Sequence, residues 1–177
     1  MYAKGEFLVE PEVHIIERYF QIVLNCFTMP NVRCKGNKEI DLLAVDPKTQ
    51  VKYHVESRVW LKQTLHLEDI DSLAKEKFEH PIVREKIQKL FGNSKYRKWL
   101  VIQPQKVDSQ LDDFARDKFG IEIQYIDTIL RMIMRKISST GSRNDVLRTL
   151  ELVNLIREFD QMHTSKIILP KLRYRKS

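Results

Sequence analysis

The chain has 177 residues, of which 42% are hydrophobic and 31% charged, so it is long enough for one well-cored α/β domain. Its formal net charge of +7 suits a polyanionic partner such as nucleic acid. No apolar run approaches the roughly 18–20 residues that span a bilayer, the first residues lack the apolar core of a signal peptide, and two cysteines are too few for a disulfide framework. These features argue against membrane-spanning and disulfide-rich proteins and predict a cytoplasmic protein with no membrane partner.

The first half of the chain is predicted to contain one helix and three strands. Apolar residues recur at steps of three and four up to Phe27, which is typical of a helix with one buried stripe. We predict that this helix begins at Pro11 and that the sequence Met29-Pro30-Asn31 ends it. The loop between the last two strands is short enough for a hairpin. The predicted strands cover residues 32–34, 40–45 and 51–60.

Helices and strands alternate in the second half of the chain. We predict that Asp108 and Asp127-Thr128 cap two helices and that Gly120 follows the end of the first of these. Residues 138–144, rich in Ser, are predicted to be a linker. The predicted helices cover residues 67–79, 81–91, 109–119, 129–137 and about 145–163, and the predicted strands cover residues 96–103 and 121–126.

This order of elements predicts an α/β fold with a central sheet of mixed parallel and antiparallel strands. The predicted core comprises residues 1–137. A C-terminal helix with a basic tail, residues 145–177, is predicted to follow it.

The candidate site lies on the predicted hairpin. Side chains alternate along a strand, so Glu56 and Arg58 are expected on the same side, flanked by His54 and Trp60. Asp41 lies on the preceding strand, and neighbouring strands are about 4.8 Å apart. In the register that pairs the two acids, their carboxylates are predicted to approach within roughly 4–6 Å. Carboxylates in that arrangement suit Mg²⁺, which polarises a phosphoryl oxygen and activates bound water.

The segments IDLLA at residues 40–44 and VESR at residues 55–58 follow a helix, a strand and a turn. In this order they resemble the core of the PD-(D/E)xK superfamily, which includes restriction endonucleases and archaeal Holliday-junction resolvases. The resemblance implies a restriction-endonuclease-like α/β fold, a central mixed sheet flanked by helices, here with an added C-terminal helix. It also implies a metal-dependent nuclease that hydrolyses phosphodiester bonds, with DNA preferred over RNA as the substrate. The implied cofactor is Mg²⁺ or Mn²⁺, with Asp41 and Glu56 as the metal ligands.

The sequence departs from that pattern two residues after the Glu, where the family usually has Lys and this chain has Arg58. Arg keeps the positive charge, but its pKa above about 12 prevents it from acting as a general base. Arg58 is therefore expected to stabilise charge, with Lys62 or Lys38 as possible substitutes for the missing lysine. The family often adds a Glu from the first helix. We expect Glu17, which borders the buried stripe, in that role, with Glu12 as the alternative.

Basic side chains beside the hairpin and in the tail are predicted to contact nucleic acid, preferably DNA. The other interpretation of the tail is a solvated, frayed end. A homodimer is a further expectation, because family members often cut two strands with paired subunits. The predicted nucleic-acid-binding residues are Lys38, Lys62, Lys171, Arg173, Arg175 and Lys176.

Two other interpretations of the chain remain open. The first is a nuclease-fold protein that has lost catalysis and binds nucleic acid or scaffolds a partner, which Arg58 favours. The second is an ordinary α/β domain in which Asp41 belongs to a strand-end turn and Glu56 pairs with Arg58 on an exposed face. His54 is predicted to be a neighbour or core residue rather than a ligand, and both tryptophans are predicted to lie in the core.

Overall fold

A five-stranded mixed sheet with helices on both faces is formed by the part of the chain that the structure, a computed structural model, describes: residues 10–59, 65–103 and 110–137. The strands are β1 (Phe27–Arg33), β2 (Glu39–Val45), β3 (Lys52–Arg58), β4 (Arg97–Ile102) and β5 (Ile121–Tyr125). The helices are α1 (Pro11–Ile22), α2 (Leu67–Leu73), α3 (Pro81–Phe91), α4 (Leu111–Phe119) and α5 (Ile126–Ile137). A π-helical segment, Ala74–Phe78, continues α2 and is called the π turn below.

The strands lie in the order of the chain, from β1 at one edge to β5 at the other. The first three strands form an antiparallel meander, whereas β3, β4 and β5 are parallel and are joined through helices. The predicted α/β class and mixed sheet are confirmed.

The two faces of the sheet have separate cores because side chains alternate along each strand. On one face, Phe20 of α1 packs its ring against Tyr53 and Trp99, with centroids 5.1 and 5.2 Å away. On the other face, Leu100 and Ile102 pack against the helical segments that connect the parallel strands. Trp99 is therefore a core residue, as predicted, whereas Trp60 lies outside the described residues.

The prediction for the first helix and strand is wrong in its boundary. Helix α1 ends at Ile22, and Pro30, expected to follow a helix, lies inside strand β1. Pro is tolerated there because β1 is an edge strand, where a missing amide N–H removes no hydrogen bond to a further strand. Asn25, with φ of 54°, supplies a left-handed residue in the chain reversal between helix and strand.

The predicted helix over residues 67–79 forms, but its last turn is not α-helical. Within the π turn the amide of Glu79 donates to the carbonyl of Ala74, five residues back. This wider turn changes the direction of the side chains that follow α2, and Lys77 is one of them.

Two other predicted boundaries differ in outcome. Helix α4 ends at Phe119, and Gly120 follows it, as predicted, in the left-handed conformation. Helix α5 begins at Ile126, so Asp127 lies in its first turn and pairs with Arg131 instead of capping the helix. The predicted cap Asp108 lies outside the described residues.

Backbone contacts divide the chain into the units Met1–Lys136 and Ile137–Ser177. The predicted linker at 138–144 and the predicted helix and basic tail at 145–177 lie outside the described residues. Within the described ranges, no helix has the length and apolar character needed to cross a membrane.

Candidate active site

Strands β2 and β3 place Asp41 and Glu56 side by side. Leu42 pairs with Val55, and continuing this antiparallel register sets Asp41 opposite Glu56. The backbone amide of Ser57 donates to Asp41 Oδ2 at 2.7 Å, which anchors the Asp41 carboxylate beside β3. The predicted proximity of the two acids is present. Their role as metal ligands stays a prediction.

Lys77 from the π turn contacts both acids. Its Nζ lies 3.2 Å from Glu56 Oε2 and 3.7 Å from Asp41 Oδ1. Burial disfavours the Lys77 ammonium, but the charges of the two carboxylates outweigh it and raise the pKa of Lys77. One protonated amine is therefore held between two carboxyl groups. We call Asp41, Glu56 and Lys77 the carboxylate–lysine cluster.

Glu56 is fully buried, and His54 from the same strand is buried beside it. Glu56 Oε1 and His54 Nε2 are 2.6 Å apart, and the His54 ring stacks on Phe78 with centroids 4.6 Å apart. Burial raises the pKa of Glu56 to about 8, although Lys77 opposes this. Burial also lowers the pKa of His54 to about 3. At neutral pH the pair therefore shares one proton between Oε1 and Nε2, and His54 fixes the direction of the Glu56 carboxyl group.

Asp41 is more accessible than Glu56. Burial raises the pKa of Asp41 to about 7, the charge of Glu56 adds to the rise, and Lys77 and the Ser57 amide oppose it. Both acids of the cluster thus hold their protons more tightly than free carboxyl groups do. Low dielectric and like charge are the two physical causes.

The predicted basic residue of the strand does not join the cluster. Arg58 is exposed at the end of β3, and among the described residues it forms no ion pair with Asp41 or Glu56. Lys38 pairs with Glu76 at 3.6 Å, next to Lys77 in the π turn. The other substitute that we considered, Lys62, lies outside the described residues.

Glu17, the expected first-helix carboxylate, contacts side chains of α1 and β1 and forms no ion pair with Lys77 among the described residues. Glu17 Oε1 accepts hydrogen bonds from Gln21 at 3.1 Å and Thr28 at 3.0 Å, which hold it against β1. Glu17 borders the buried stripe of α1, which explains why the periodicity of the apolar residues alone favoured it.

Two acids at the start of the first helix, Glu10 and Glu12, lie close to each other, and Glu10 also interacts with the cluster. Burial and then the charges of Glu12 and Asp41 raise the pKa of Glu10, which places its carboxyl group within electrostatic reach of the cluster. Glu12 is only 4% exposed, and its Oε2 is buried with no hydrogen-bond partner among the described residues. Glu12, the alternative in the sequence-based prediction, is therefore buried close to Glu10, and its role stays a prediction.

Lys77 was not predicted as a site residue, although the sequence carries a signal for it. The apolar positions Leu73 and Ala74 place residue 77 on the same helical stripe, three and four residues later. A lysine on a buried stripe needs a partner of opposite charge. The π turn then determines which partner it reaches.

The donor set of the cluster fits a hard divalent cation. Glu56 Oε2 is buried, and Lys77 Nζ faces it at 3.2 Å. Mg²⁺ commonly takes one or two protein carboxylates and completes its coordination with water and phosphate. Among the described residues no group of three or more His, Cys, Asp or Glu side chains is arranged to hold a metal ion. The candidate donors are therefore the pair Asp41 and Glu56 alone.

Comparisons with protein-family models, with curated proteins and with solved structures found no match to the chain. The predicted nucleic-acid-binding residues of the tail, Lys171, Arg173, Arg175 and Lys176, lie outside the described residues.

Proposed function

We propose that the protein is a divalent-metal-dependent nuclease that hydrolyses phosphodiester bonds of DNA on a restriction-endonuclease-like fold. One observation carries the proposal: Asp41 and Glu56, on adjacent antiparallel strands, converge on a single cationic group. The order of helix, three-stranded meander, helices and two parallel strands supports it, because the same order underlies the resemblance to the PD-(D/E)xK superfamily.

Asp41 and Glu56 would hold Mg²⁺ or Mn²⁺, which supplies Lewis acidity toward a phosphate oxygen and acidifies bound water. Lys77 places an ammonium group within 3.2 Å of Glu56, where it stabilises negative charge that develops on the phosphate. His54 positions Glu56 through the contact at Oε1, so that Oε2 faces Lys77. Lys77 thus supplies the amine that the strand lacks, since Arg58 lies outside the cluster.

Removing either metal ligand is expected to abolish cleavage without abolishing DNA binding. Asp41→Asn and Glu56→Gln keep the size of each side chain but remove the charge that holds the cation, so cleavage of supercoiled plasmid in Mg²⁺ or Mn²⁺ is expected to fall at least 100-fold. Affinity for DNA in EDTA is expected to change little, because contacts with the phosphate backbone supply it. Glu17→Gln is the matched control and is expected to cleave normally.

A second pair of variants distinguishes the contribution of Lys77 to cleavage from that of Arg58. Lys77→Met is expected to lower cleavage strongly, whereas Arg58→Met is expected to have a smaller effect. Arg58→Lys, which restores the residue usual in the family, is expected to be tolerated. Wild-type protein that cleaves no linear, nicked or branched substrate, together with an equally inactive Arg58→Lys variant, would contradict the enzymatic proposal.

The second candidate function is nucleic-acid binding or scaffolding without catalysis. The observation that favours it is that Lys77 already neutralises charge between the two acids. In that case the cluster is a buried ion-pair network, and Mn²⁺ has no effect on the protein. Equilibrium dialysis with Mn²⁺ therefore separates the two functions without an activity measurement.

A further inference from the structure

A basic cleft lies between the β1–β2 turn and helix α3, apart from the carboxylate–lysine cluster. Its volume is about 320 Å³. Four cations line it, and the only carboxylate among its lining residues is Glu85. The cations are Arg33, Lys35, Lys86 and Lys89.

Two of these cations are not neutralised within the described part of the chain. Lys89 pairs with Glu85 at 2.6 Å, whereas neither Lys35 nor Lys86 forms a salt bridge with another described residue. Lys35 lies close enough to α3 for its charge to act on Glu85, whose pKa is lowered first by Lys89. Concave positive charge of this kind attracts a polyanion from solution.

The β1–β2 turn and α3 are held close together. A Cβ atom added to Gly36 would lie 3.5 Å from Ile82 Cδ1, so the turn packs directly on the helix. Cys34 and Val83, from the two sides, belong to the same apolar cluster beneath the cleft. The cleft is therefore a fixed feature of the described fold.

The cleft is continuous with the candidate active site through strand β2. Arg33 pairs with Glu39, two residues before Asp41, which corresponds to about 7 Å along a strand. Burial raises the pKa of the Cys34 thiol, and the charges of Lys86 and Glu56 both act on it, so this lining residue lies within electrostatic reach of both sites.

We propose that this cleft binds a backbone phosphate of the DNA, a few nucleotides from the phosphate that meets Asp41 and Glu56. The proposal rests on the proposed function, because it takes nucleic acid as the partner. One DNA strand advances about 3.4 Å per nucleotide along the helix axis, so the step of about 7 Å from Glu39, the register partner of Arg33, to Asp41 spans roughly two nucleotides. Lys35 and Lys86 are the principal contacts, and Lys89 and Arg33 border them.

The test is the salt dependence of DNA binding by a double variant, Lys35→Gln/Lys86→Gln. Binding of a fluorescent duplex is measured by anisotropy in EDTA, so that no cleavage occurs, between about 50 and 200 mM salt. The control, Lys48→Gln/Lys95→Gln, removes the same charge from exposed positions at the opposite end of β3. We expect the cleft variant to lose affinity on the order of tenfold or more and to reduce the log–log salt slope by about one to two.

Equal losses in the cleft and control variants would overturn the proposal, because they would reflect net charge alone. Unchanged binding by the cleft variant would also overturn it, whether or not the protein cleaves DNA. Equal competition by polyglutamate and by DNA for the wild-type protein would assign the cleft to acidic polymers in general and would overturn it as well. Cleavage in Mg²⁺ is measured separately, so a cleft-dependent binder without cleavage would support the cleft while contradicting the nuclease.

Discussion

At the scale of single residues, the unusual feature is a set of buried acids that favour the protonated state. The pKa of Glu56 is raised to about 8 by burial, and that of Asp41 is raised to about 7 by burial and by Glu56. An acid with a raised pKa in the folded state stabilises the fold at low pH, and this stability is lost as the pH rises through the folded-state pKa. The opposite holds for His54, whose lowered pKa removes stability as the pH falls below about 6.5.

The free energy of unfolding is therefore expected to decrease as the pH rises from 6.5 to 8. In this window the unfolded state holds at most about half a proton on His54, near its ordinary pKa of 6.5, whereas only the folded state holds protons on Glu56, and on Asp41 up to about pH 7. One proton is worth about 1.4 kcal/mol per pH unit, so the loss is expected to be on the order of 2 kcal/mol. Denaturant unfolding followed by tryptophan fluorescence at several pH values measures it.

Glu56→Gln removes the main titrating group and is expected to flatten this pH dependence. Glu17→Gln removes a carboxyl group outside the cluster and is expected to retain the wild-type slope. A Glu56→Gln protein that loses stability with pH as steeply as the wild type would show that the cluster is not its source.

At the scale of elements, the local sequence pattern predicted a helix or strand correctly where that pattern is compatible with only one kind of structure. The hairpin was predicted at residues 40–45 and 51–60 and forms at Glu39–Val45 and Lys52–Arg58, because strands with apolar and aromatic residues on both sides of a turn favour a hairpin in most contexts. Pro30, in contrast, is compatible with the end of a helix and with an edge strand. Which of the two forms depends on the neighbours of β1 in the sheet. Lys77 could not be placed because the π turn is a product of tertiary packing rather than of helical periodicity.

Two glycines that follow α3 and α4 differ in backbone conformation, so replacing them is expected to lower the stability of the fold by different amounts. Gly120 has φ 64° and ψ 28°, which Asn also adopts, whereas Gly92 has φ 67° and ψ −151°, a region that is essentially restricted to glycine. An added Cβ would meet nothing within 4 Å at either site, so the backbone alone sets the cost. We expect Gly120→Ala to cost about 1 kcal/mol and Gly92→Ala about 2–3 kcal/mol.

Asn variants are the control for this comparison. Gly120→Asn is expected to cost less than Gly120→Ala, while Gly92→Asn is expected to be as costly as Gly92→Ala. Thermal or denaturant unfolding of the four variants measures the differences. Equal costs at the two sites would show that the conformation of the backbone does not set them.

At the scale of the whole molecule, the sequence predicted the fold class and the pair of acids but not the complete site. Asp41 and Glu56 were found because adjacent strands fix their separation, whereas Lys77 reaches the cluster from a helical segment whose docking the sequence does not encode locally. The expected homodimer and the contribution of the C-terminal helix and tail stay predictions.

Binding of a divalent cation is expected to stabilise the entire fold, because only the folded chain brings the two acids together. The midpoint of thermal unfolding is expected to rise with Mn²⁺ or Mg²⁺, by an amount equivalent to about 1.4 kcal/mol at a cation concentration tenfold above Kd. The rise is expected to be larger at pH 8 than at pH 6.5, since the cation must displace the protons that Asp41 and Glu56 hold.

Glu56→Gln is expected to lose this stabilisation, and Glu17→Gln is expected to keep it. Na⁺ at matched ionic strength controls for general screening. A midpoint that does not respond to any divalent cation at pH 8 would favour the binding protein without catalysis.

The edge of the sheet has a consequence for the protein at high concentration. Strand β1 exposes Phe27 and Met29, by 72% and 49%, on a strand with no described neighbour on its outer side. Such an edge is a template for fibril-like addition of a strand from another molecule. Pro30 offers no amide N–H, and Asn31, with φ of 50°, interrupts the regular strand, so an incoming strand meets a usable ladder of only a few residues. We therefore expect Pro30, the residue expected to end the first helix, to oppose aggregation at this edge. In the described sheet this edge combines exposed large apolar side chains with backbone groups that are not paired to another strand.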